Sequence, residues 1–245
     1  MARGRESGEK VRMDALFSAE EWTAIGLSLK VATVATLASL PFGIAMAMLL
    51  ARGRFPGRGL LAGVVSLPLV LPPVVTGYLL LVAFGRKGPI GAFLEQSFGL
   101  VFAFRWTGAA LASAIMGFPL MVRAIGLSIE AIDGKLEHAA ATLGAGRVLV
   151  FLTVTLPLAL PGVLAGAVLA FARSLGEFGA TITFVSNIPG ETQTIPSAIY
   201  ALIQSPDGDA AAMRLTLVSI AIALAAMLLA EALAAGARSR GRSAP

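Results

Sequence analysis

Two charged residues inside one apolar segment give the clearest chemical signal in this sequence. Arg173 and Glu177 lie near the middle of a stretch that covers residues 162–185. Their i,i+4 spacing predicts that they share one face of a helix, where they can pair, and Ser174 and Thr181 add hydroxyl groups nearby. Because charges at bilayer depth usually face the interior of a helix bundle, the pattern is typical of a polar path. It is equally typical of a structural ion pair between helices.

A second signal is a run of prolines in another apolar segment, at residues 59–84. The stretch LPLVLPP contains Pro68, Pro72 and Pro73. Each proline removes a backbone donor and clashes with the preceding turn, so the three together predict a break in the helix. Broken backbone at bilayer depth is stable only where protein or a water-filled path covers it. Pro72 and Pro73 are therefore candidates for the lining of a path, and the alternative is a kink filled by neighbouring helices.

The residue types that enzymes use are scarce in this chain. There is no cysteine, which excludes disulfides and thiolate metal sites, and His138 is the one histidine. A single histidine in a loop cannot supply the nucleophile and base that an enzyme needs, and there is no phosphate-binding Gly-Lys motif. We therefore expect no catalytic residue, no metal site and no cofactor in this chain.

The composition identifies the class of protein. Hydrophobic residues make up 57% of the 245 residues, charged residues make up 13%, and the mean hydropathy is +0.84. Soluble domains contain about a quarter charged residues, so we expect an all-α integral membrane protein. The net charge is +5, but the basic residues lie mostly at the ends of apolar segments, which membrane topology explains better than nucleic-acid binding. We predict five transmembrane helices, at residues 22–51, 59–84, 106–129, 162–185 and 213–233.

These segments define three regions. Residues 1–21 form a polar tail of mixed charge that we expect to be partly disordered, residues 22–236 form the membrane domain, and residues 237–245 form a basic tail. Lys30 lies within the first segment. We favour an interpretation in which its ammonium group reaches the nearer interface over one in which it faces the bundle interior.

The loop at residues 130–161 is not built like a solvated connection. Asp133 can cap a helix start, because its carboxylate accepts the free amides of the first turn, and Gly144 supplies a helix stop. Between them, four apolar residues recur at helical spacing and make one stripe: Leu136, Ala139, Ala140 and Leu143. A short amphipathic helix outside the bilayer fits the groove of a partner protein or lies on lipid, and the pattern alone favours neither.

The spacing within this loop resembles the EAA signature of ATP-binding cassette (ABC) importer permeases. The Ala-Ala pair at 139–140, Gly144 and the Leu-Pro pair at 156–157 fall in register with it. Its glutamate position holds His138, and Glu137 comes one residue earlier. The resemblance implies that the loop is a cytoplasmic coupling helix, which docks into a cleft of an ATP-binding subunit. The docking residues that it implies are Leu136, Glu137, His138, Ala139, Ala140, Leu143, Gly144, Leu156 and Pro157.

Three further stretches resemble the molybdate branch of these permeases, which is similar to the sulfate permeases. They are SLPLVLPPVVTGYLLLVAFGRKGPIG, MGFPLMVRAI and AFARSLGEFGATITFVSNIPGETQTIPSAIY. The resemblance covers nearly all of residues 21–231 and implies the type I ABC importer fold in the bacterial inner membrane. It also implies molybdate import by a homodimer of permeases, two ATP-binding subunits that bind ATP and Mg²⁺, and a periplasmic molybdate-binding protein. Sulfate or tungstate is the alternative cargo.

The path that this resemblance implies has to carry a dianion through hydrocarbon, where an isolated charge is very unfavourable. Hydroxyls, amides and a few buried cations can supply such a path. The candidate residues are Pro72, Pro73, Arg173, Ser174, Glu177 and Thr181. A secondary transporter driven by an ion gradient is the rival hypothesis, and it predicts inverted repeats and carboxylates near unwound helices. The second half of the sequence does not resemble the first, and Glu177 is the only acidic residue in mid-span, so the ABC permease is favoured.

Five spans place the two termini on opposite faces, and the basic residues choose the orientation. With a cytoplasmic C-terminus, the cytoplasmic face holds nine lysines and arginines and the other face holds four, not counting the N-terminal tail. Such an excess of basic residues is usual in cytoplasmic loops. This orientation puts the N-terminus in the periplasm and the coupling loop in the cytoplasm. Arg3, Arg5, Lys10 and Arg12 oppose it, so we expect Met13 to be the functional start, or residues 1–12 to be dispensable and disordered.

Overall fold

The computed structural model describes residues 17–242, with the backbone alone for residue 230 and residues 233–242. Every regular element in this range is helical, as the sequence predicted. The described elements are α1 (Ala19–Arg52), α2 (Arg58–Val70), α3 (Pro73–Phe84), α4 (Pro89–Phe98), α5 (Trp106–Glu130), α6 (Gly134–Thr142), α7 (Arg147–Val150), a π-helical turn (Phe151–Thr155), α8 (Leu156–Leu175), α9 (Gly179–Val185), α10 (Ile195–Leu202) and α11 (Asp209–Arg242). The predictions for residues 1–12, and for the chain up to residue 16, lie outside the described residues.

Four helical stretches of the described chain are long and apolar enough to cross a membrane. They are α1, α5, the continuous run Arg147–Leu175, and Asp209–Leu229 of α11. A bent pair of helices, α2 and α3, makes a fifth if the pair counts as one span. The upper count equals the five spans that the sequence predicted. Both α1 and α5 begin and end within three residues of the predicted bounds.

The bend between α2 and α3 amounts to 112° and occurs at the proline run. Leu71 is extended (φ −69°, ψ 142°), because a residue that precedes a proline is disfavoured in the helical region. Pro73 is the first residue of α3, where the donor that proline lacks would be unpaired in any case. Pro68 is accommodated inside α2. The predicted break is therefore present, and it lies at Leu71 and Pro72.

The fourth span differs from the prediction. The sequence predicted one helix over residues 162–185, but α8 ends at Leu175 and α9 begins at Gly179. Phe178 leaves the helical conformation (φ −129°, ψ −53°), and the Oε1 atom of Glu177 accepts a hydrogen bond from the Ala180 N–H at 2.8 Å. That bond satisfies one of the free donors at the start of α9. The prediction that Glu177 and its partner in the i,i+4 pattern share one helical face is therefore wrong.

Two segments that the sequence indicated as loops also contain helices. Helix α4 lies between the second and third spans, and α10 lies between the fourth and fifth. Pro89 occupies the first turn of α4, and Gly99 ends the helix in the left-handed region (φ 66°), where glycine carries no steric cost. Short helices bounded by proline and glycine are hard to distinguish from turns in a sequence, because the same two residues mark both.

The described helices pack into two compact units. Unit 1 consists of residues 17–33, Pro73–Ser113 and Leu175–Ala223, and unit 2 consists of Val34–Pro72, Ala114–Ser174 and residues 224–242. The long helices α1 and α11 therefore contribute residues to both units.

Unit 1 is stabilised by an apolar core and by polar contacts at helix ends. Its buried core consists of Ala24, Ile25, Ile195, Ala198 and Leu215. Ser28 Oγ accepts a hydrogen bond from the first amide of α10 at 2.7 Å. The buried carboxylate of Glu21 accepts two hydrogen bonds from Arg214, from Nε at 3.1 Å and Nη2 at 2.9 Å, and it forms a capping box with Ser18 of the usual reciprocal kind. These contacts connect the start of α1 to α10 and α11.

Helices α3 and α9 of unit 1 approach each other closely through small residues. A Cβ atom at Gly77 would lie 2.5 Å from the carbonyl oxygen of Ala180 and 2.9 Å from its Cα. A Cβ atom at Gly179 would lie 2.7 Å from the Cβ of Pro73. Small residues permit such approaches between membrane helices, so these two glycines set the distance between α9 and the helix that follows the bend.

Lys30 contacts an aromatic ring of unit 1. Its Nζ atom lies 3.7 Å from the centroid of the Trp106 ring, which is within the range of a cation–π interaction. The ammonium group thus has a partner within its own unit. The choice between an interfacial and an interior position for Lys30 stays a prediction.

Unit 2 has a larger core around α5 and α8. Its buried residues are Ala47, Met121, Val122, Ile125, Ile129, Ala159, Val163 and Ala170. A Cβ atom at Gly117 would lie 3.2 Å from the Cα of Ala170, and one at Gly166 would lie 2.9 Å from the carbonyl oxygen of Met121. The core and these close approaches hold the two helices between which the loop with α6 runs.

Candidate functional site

Helix α6 forms where the sequence predicted it. The Asp133 side chain caps its start by accepting a hydrogen bond from the Lys135 N–H at 2.9 Å. Leu143 follows the last helical residue, and Gly144 adopts the left-handed conformation (φ 89°) that ends the helix. The predicted cap and the predicted stop are both confirmed.

The apolar stripe of α6 is uncovered by the described part of the chain. None of its nine helical residues, all of them described, is buried. Leu136 is 49% exposed and Leu143 is 89% exposed, and Ala139 is exposed beside them. Exposed apolar residues at helical spacing, rimmed by polar ones, mark surfaces that bind protein or lipid.

His138, at the glutamate position of the signature, and Glu137, one residue earlier, differ in their surroundings. His138 is exposed, whereas Glu137 is half-buried and binds groups of its own chain. Its Oε1 atom accepts a hydrogen bond from Thr155 Oγ1 at 2.8 Å. Its Oε2 atom lies 3.4 Å from Arg52 Nε, and the two side chains are 20% and 28% exposed. Arg52 Nη2 also donates to the carbonyl of Ile132, just before the helix, at 2.9 Å. Glu137 therefore holds α6 to the end of α1 and to the π-helical turn.

The π-helical turn explains the position of Thr155. It covers the five residues before α8 and is followed directly by Leu156 and Pro157. A proline ring clashes with the carbonyl of the residue four positions earlier, and a π-helical turn widens the helix and relieves this conflict. Thr155 is 1% exposed and directs its hydroxyl to Glu137. Leu156 packs against the unit 2 core, whereas Pro157 is exposed. Of the two predicted docking residues in this pair, Pro157 is therefore the one available to a partner.

The residues predicted to line a path fall into two sets. Pro72, Arg173 and Ser174 belong to unit 2, and Pro73, Glu177 and Thr181 belong to unit 1. Arg173 lies in the last turn of α8, where the helix dipole favours a cation. Glu177 and Thr181 are buried, and Thr181 Oγ1 donates to the Phe178 carbonyl at 2.9 Å. Both sets contain polar groups, and their use as a path stays a prediction.

The pairing of Glu137 with Arg52 was missed by the sequence analysis. Arg52 belongs to the basic turn RGRFPGR between the first two predicted spans. The predicted orientation puts this turn and the loop with α6 both in the cytoplasm, so the two charges could have been matched. The capping box at the start of α1 was also readable, since Ser18 and Glu21 stand at the S-x-x-E spacing. The hydrogen bond to Thr155 carried no such signal, because its geometry depends on the π-helical turn.

Comparison with known families gives one match that covers most of the chain. Residues 39–239 match the family described as "Binding-protein-dependent transport system inner membrane component". The chain is also similar to the "Molybdenum transport system permease protein ModB" of Escherichia coli strain K12, at 66% identity over 199 residues, which is 81% of this chain and 87% of that protein. It is 40% identical over 189 residues to the "Sulfate transport system permease protein CysT" of Salmonella typhimurium, covering 77% of this chain and 68% of that one.

Solved structures with a similar fold are ABC transporters. A bacterial ABC transporter involved in the import of the acidic polysaccharide alginate superposes with a TM-score of 0.70 at 20% identity, covering 89% of this chain and 79% of that one. A second structure, of the bacterial alginate ABC transporter in complex with an alginate pentasaccharide-bound periplasmic protein, gives a TM-score of 0.67 at 20% identity. At this identity the likeness establishes the fold of an ABC importer permease.

Proposed function

The chain belongs to the family of binding-protein-dependent transport system inner membrane components, and we propose that it is the permease of an ATP-driven molybdate importer. The observation that carries the choice of cargo is the 66% identity to a molybdenum transport permease over four-fifths of the chain. The permease is a translocation subunit, and the hydrolysis of ATP belongs to a partner subunit that binds ATP and Mg²⁺.

The exposed helix α6 supports the proposed link to that partner. It is capped by Asp133, ended by Gly144 and uncovered on its apolar side. We propose that Leu136, His138, Ala139 and Leu143 bind in a cleft of the ATP-binding subunit. The alternative occupant of this stripe is the lipid surface, and the register of the Gly144 and Pro157 positions with the EAA signature favours the protein.

The proposed assembly is a homodimer of this chain with two ATP-binding subunits and a periplasmic molybdate-binding protein. The solved complex of an alginate transporter with its periplasmic protein supports a partner of that kind. The distribution of basic residues supports a periplasmic N-terminus and a cytoplasmic C-terminus. A protease-sensitive tag inserted before Trp22 tests this orientation. We expect cleavage from the periplasmic side, and cleavage from the cytoplasmic side alone would overturn the proposed topology.

The proposed path uses the interrupted helices. The bend at Pro72 and Pro73 and the break between α8 and α9 both remove regular backbone hydrogen bonds at positions that the sequence places within spans. Such breaks are found where the backbone lines a cavity or is buried in protein. We propose that Pro72, Pro73, Ser174, Thr181 and the adjacent charges line the route of the dianion. These charges are Arg173 and Glu177.

Uptake by a reconstituted complex tests the proposal. The permease, the ATP-binding subunit and the binding protein encoded with it would be combined in proteoliposomes that contain ATP. We expect uptake of labelled molybdate that requires both ATP and the binding protein. Unlabelled sulfate and tungstate would be added as competitors. Sulfate is the second candidate cargo, since the chain is 40% identical to a sulfate permease, and uptake of sulfate without uptake of molybdate would refute the choice of molybdate.

A further inference from the structure

We infer that Glu137 is a positioning residue that transmits the motion of α6 to the membrane helices of its own chain. This inference rests on the proposed function of α6 as the coupling helix. The Glu137 carboxylate is held by Arg52, the last residue of α1, and by Thr155, the last residue of the π-helical turn. We call the contacts among these three residues the Glu137 anchor. Both α1 and α8 receive the motion of α6 through this anchor.

Helix α6 needs such an anchor because little else in the described chain holds it. None of its helical residues is buried, and an isolated helix of this length is marginal in water. Glycines stand at the first position of α6, Gly134, and after its end, at Gly144 and Gly146, and glycine permits the widest range of backbone conformations. Among the described residues, the side-chain hydrogen bond and the ion pair that connect α6 to other elements both come from Glu137. Without these contacts, a displacement of α6 would be taken up by backbone rotations at the glycines beside it.

The anchor combines a hydrogen bond and an ion pair to the same carboxylate. Thr155 is 1% exposed and donates to the carboxylate at 2.8 Å, and hydrogen bonds to an ionised group are about twice as strong as neutral ones. The planar guanidinium of Arg52 binds two points at once. Its Nη2 donates to the Ile132 carbonyl at 2.9 Å, and its Nε lies 3.4 Å from the Glu137 carboxylate. The Nε atom has no hydrogen-bond partner among the described residues, so Arg52 is oriented by its hydrogen bond to Ile132 and attracts the Glu137 carboxylate as an ion pair.

The anchor and the docking surface lie on different sides of α6. Glu137 is half-buried and turned to its own chain, whereas His138 and the apolar stripe are exposed. Loss of the Glu137 carboxylate charge therefore changes no residue of the docking surface and weakens the link behind it. The expected defect is hydrolysis of ATP by an assembled complex that imports little molybdate.

The experiment measures molybdate uptake and ATP hydrolysis in the same proteoliposomes. We expect Glu137→Gln and Thr155→Val to lower uptake per ATP hydrolysed by roughly fivefold to thirtyfold, as the loss of one or two such contacts would. The amount of ATP-binding subunit that purifies with the permease should stay unchanged. Thr155→Ser retains the hydroxyl and should retain coupling.

Two matched controls come from the same unit. Glu130→Gln removes an exposed carboxylate that lies 3.7 Å from Arg58 Nη2, and this pair joins α5 to α2. Thr153→Val removes an exposed hydroxyl that donates to the Leu149 carbonyl within the same helical run. Both controls should retain the wild-type ratio of uptake to hydrolysis, because neither residue belongs to the anchor.

A spectroscopic readout separates transmission from folding. The chain has no cysteine, so Ala141→Cys in the exposed part of α6 gives a single site for a nitroxide label. The label should become more mobile in Glu137→Gln and Thr155→Val, and should be unaffected in the two controls. If Glu137→Gln does not assemble, Thr155→Val decides, since it keeps the ion pair.

Three outcomes are distinguishable. An unchanged ratio of uptake to hydrolysis in both anchor variants would overturn the inference. A fall in the amount of complex with a normal ratio in the complex that remains would also overturn it, because the role of Glu137 would then be structural. If the unmodified complex itself takes up no molybdate, the proposed function fails first, and the variants would not be needed to reach that conclusion.

Discussion

Gly77 provides the sharpest test of how α3 and α9 pack beside the bend. An alanine Cβ at this position would lie 2.5 Å from the Ala180 carbonyl oxygen and 2.9 Å from the Cβ of Thr183. Cβ atoms essentially never approach other atoms to less than 3.0 Å, so the two helices would have to separate by at least about 0.5 Å, on the scale that costs dispersion contacts. Overpacking of this kind typically costs about 1–3 kcal/mol.

The matched control lies on the other side of the same bend. Gly63 is inside α2, and a Cβ there would meet no atom within 4 Å. Gly63→Ala should be neutral or slightly stabilising, because alanine is favoured over glycine in a helix by about 1 kcal/mol. Comparing the two variants removes the contribution of helix propensity, which they share.

The measurement is thermal unfolding of the purified permease in detergent, together with molybdate uptake after reconstitution. We expect Gly77→Ala to melt several degrees below the unmodified protein and Gly63→Ala to melt at or above it. We also expect reduced uptake for Gly77→Ala, since a shift of α3 moves Pro73 at its start. Equal melting temperatures for the two variants would refute the close approach of α3 to Ala180.

Three further predictions concern helix ends and charges. Gly144→Val should lower uptake with little effect on the amount of complex, because a β-branched residue at φ 89° is strained by about 1–2 kcal/mol or more. Gly146→Val is the control, since φ is −66° there. Equal uptake by the two variants would contradict the argument. Arg214→Gln should destabilise the protein in detergent by about 1–3 kcal/mol, since it leaves the buried carboxylate of Glu21 without its cation. The double variant with Glu21→Gln should lose less stability than the single one. A larger loss of stability in the double variant would count against the pair. The double variant Arg173→Ala with Glu177→Gln should assemble but take up molybdate about tenfold or more slowly if the dianion contacts the guanidinium, and full uptake by Arg173→Ala alone would remove Arg173 from the proposed path.

The parts of the structure that the sequence predicted well depend on local rules. Asp133 and Gly144 bound α6 as expected, because a carboxylate cap and a left-handed glycine act within one or two residues of themselves. Pro72 and Pro73 marked the bend for a similar reason, since two adjacent prolines remove two successive backbone donors, whereas the single Pro68 is accommodated inside α2. Hydropathy alone placed α1 and α5 within three residues of their bounds.

The parts that the sequence missed depend on distant contacts. The side chain of Glu177 caps α9 and lies in a break, and the apolar character of the whole segment concealed that break. The direction of Glu137 depends on Arg52 and on Thr155, whose position requires the π-helical turn. No helical periodicity encodes that turn, because it changes the period itself. The candidate site was therefore predicted as a surface and not as a linked set of contacts.

The contact between Lys30 and Trp106 allows intrinsic tryptophan fluorescence to report on the protein. The sequence has two tryptophans, Trp22 and Trp106, and both belong to unit 1, whereas α6 belongs to unit 2. An ammonium group 3.7 Å from an indole ring alters the emission of that ring, so intrinsic fluorescence should change when the lysine moves away. In the permease alone, emission excited at the indole band would therefore report on unit 1. A change in the emission of the purified permease would record a movement within unit 1 without any attached dye.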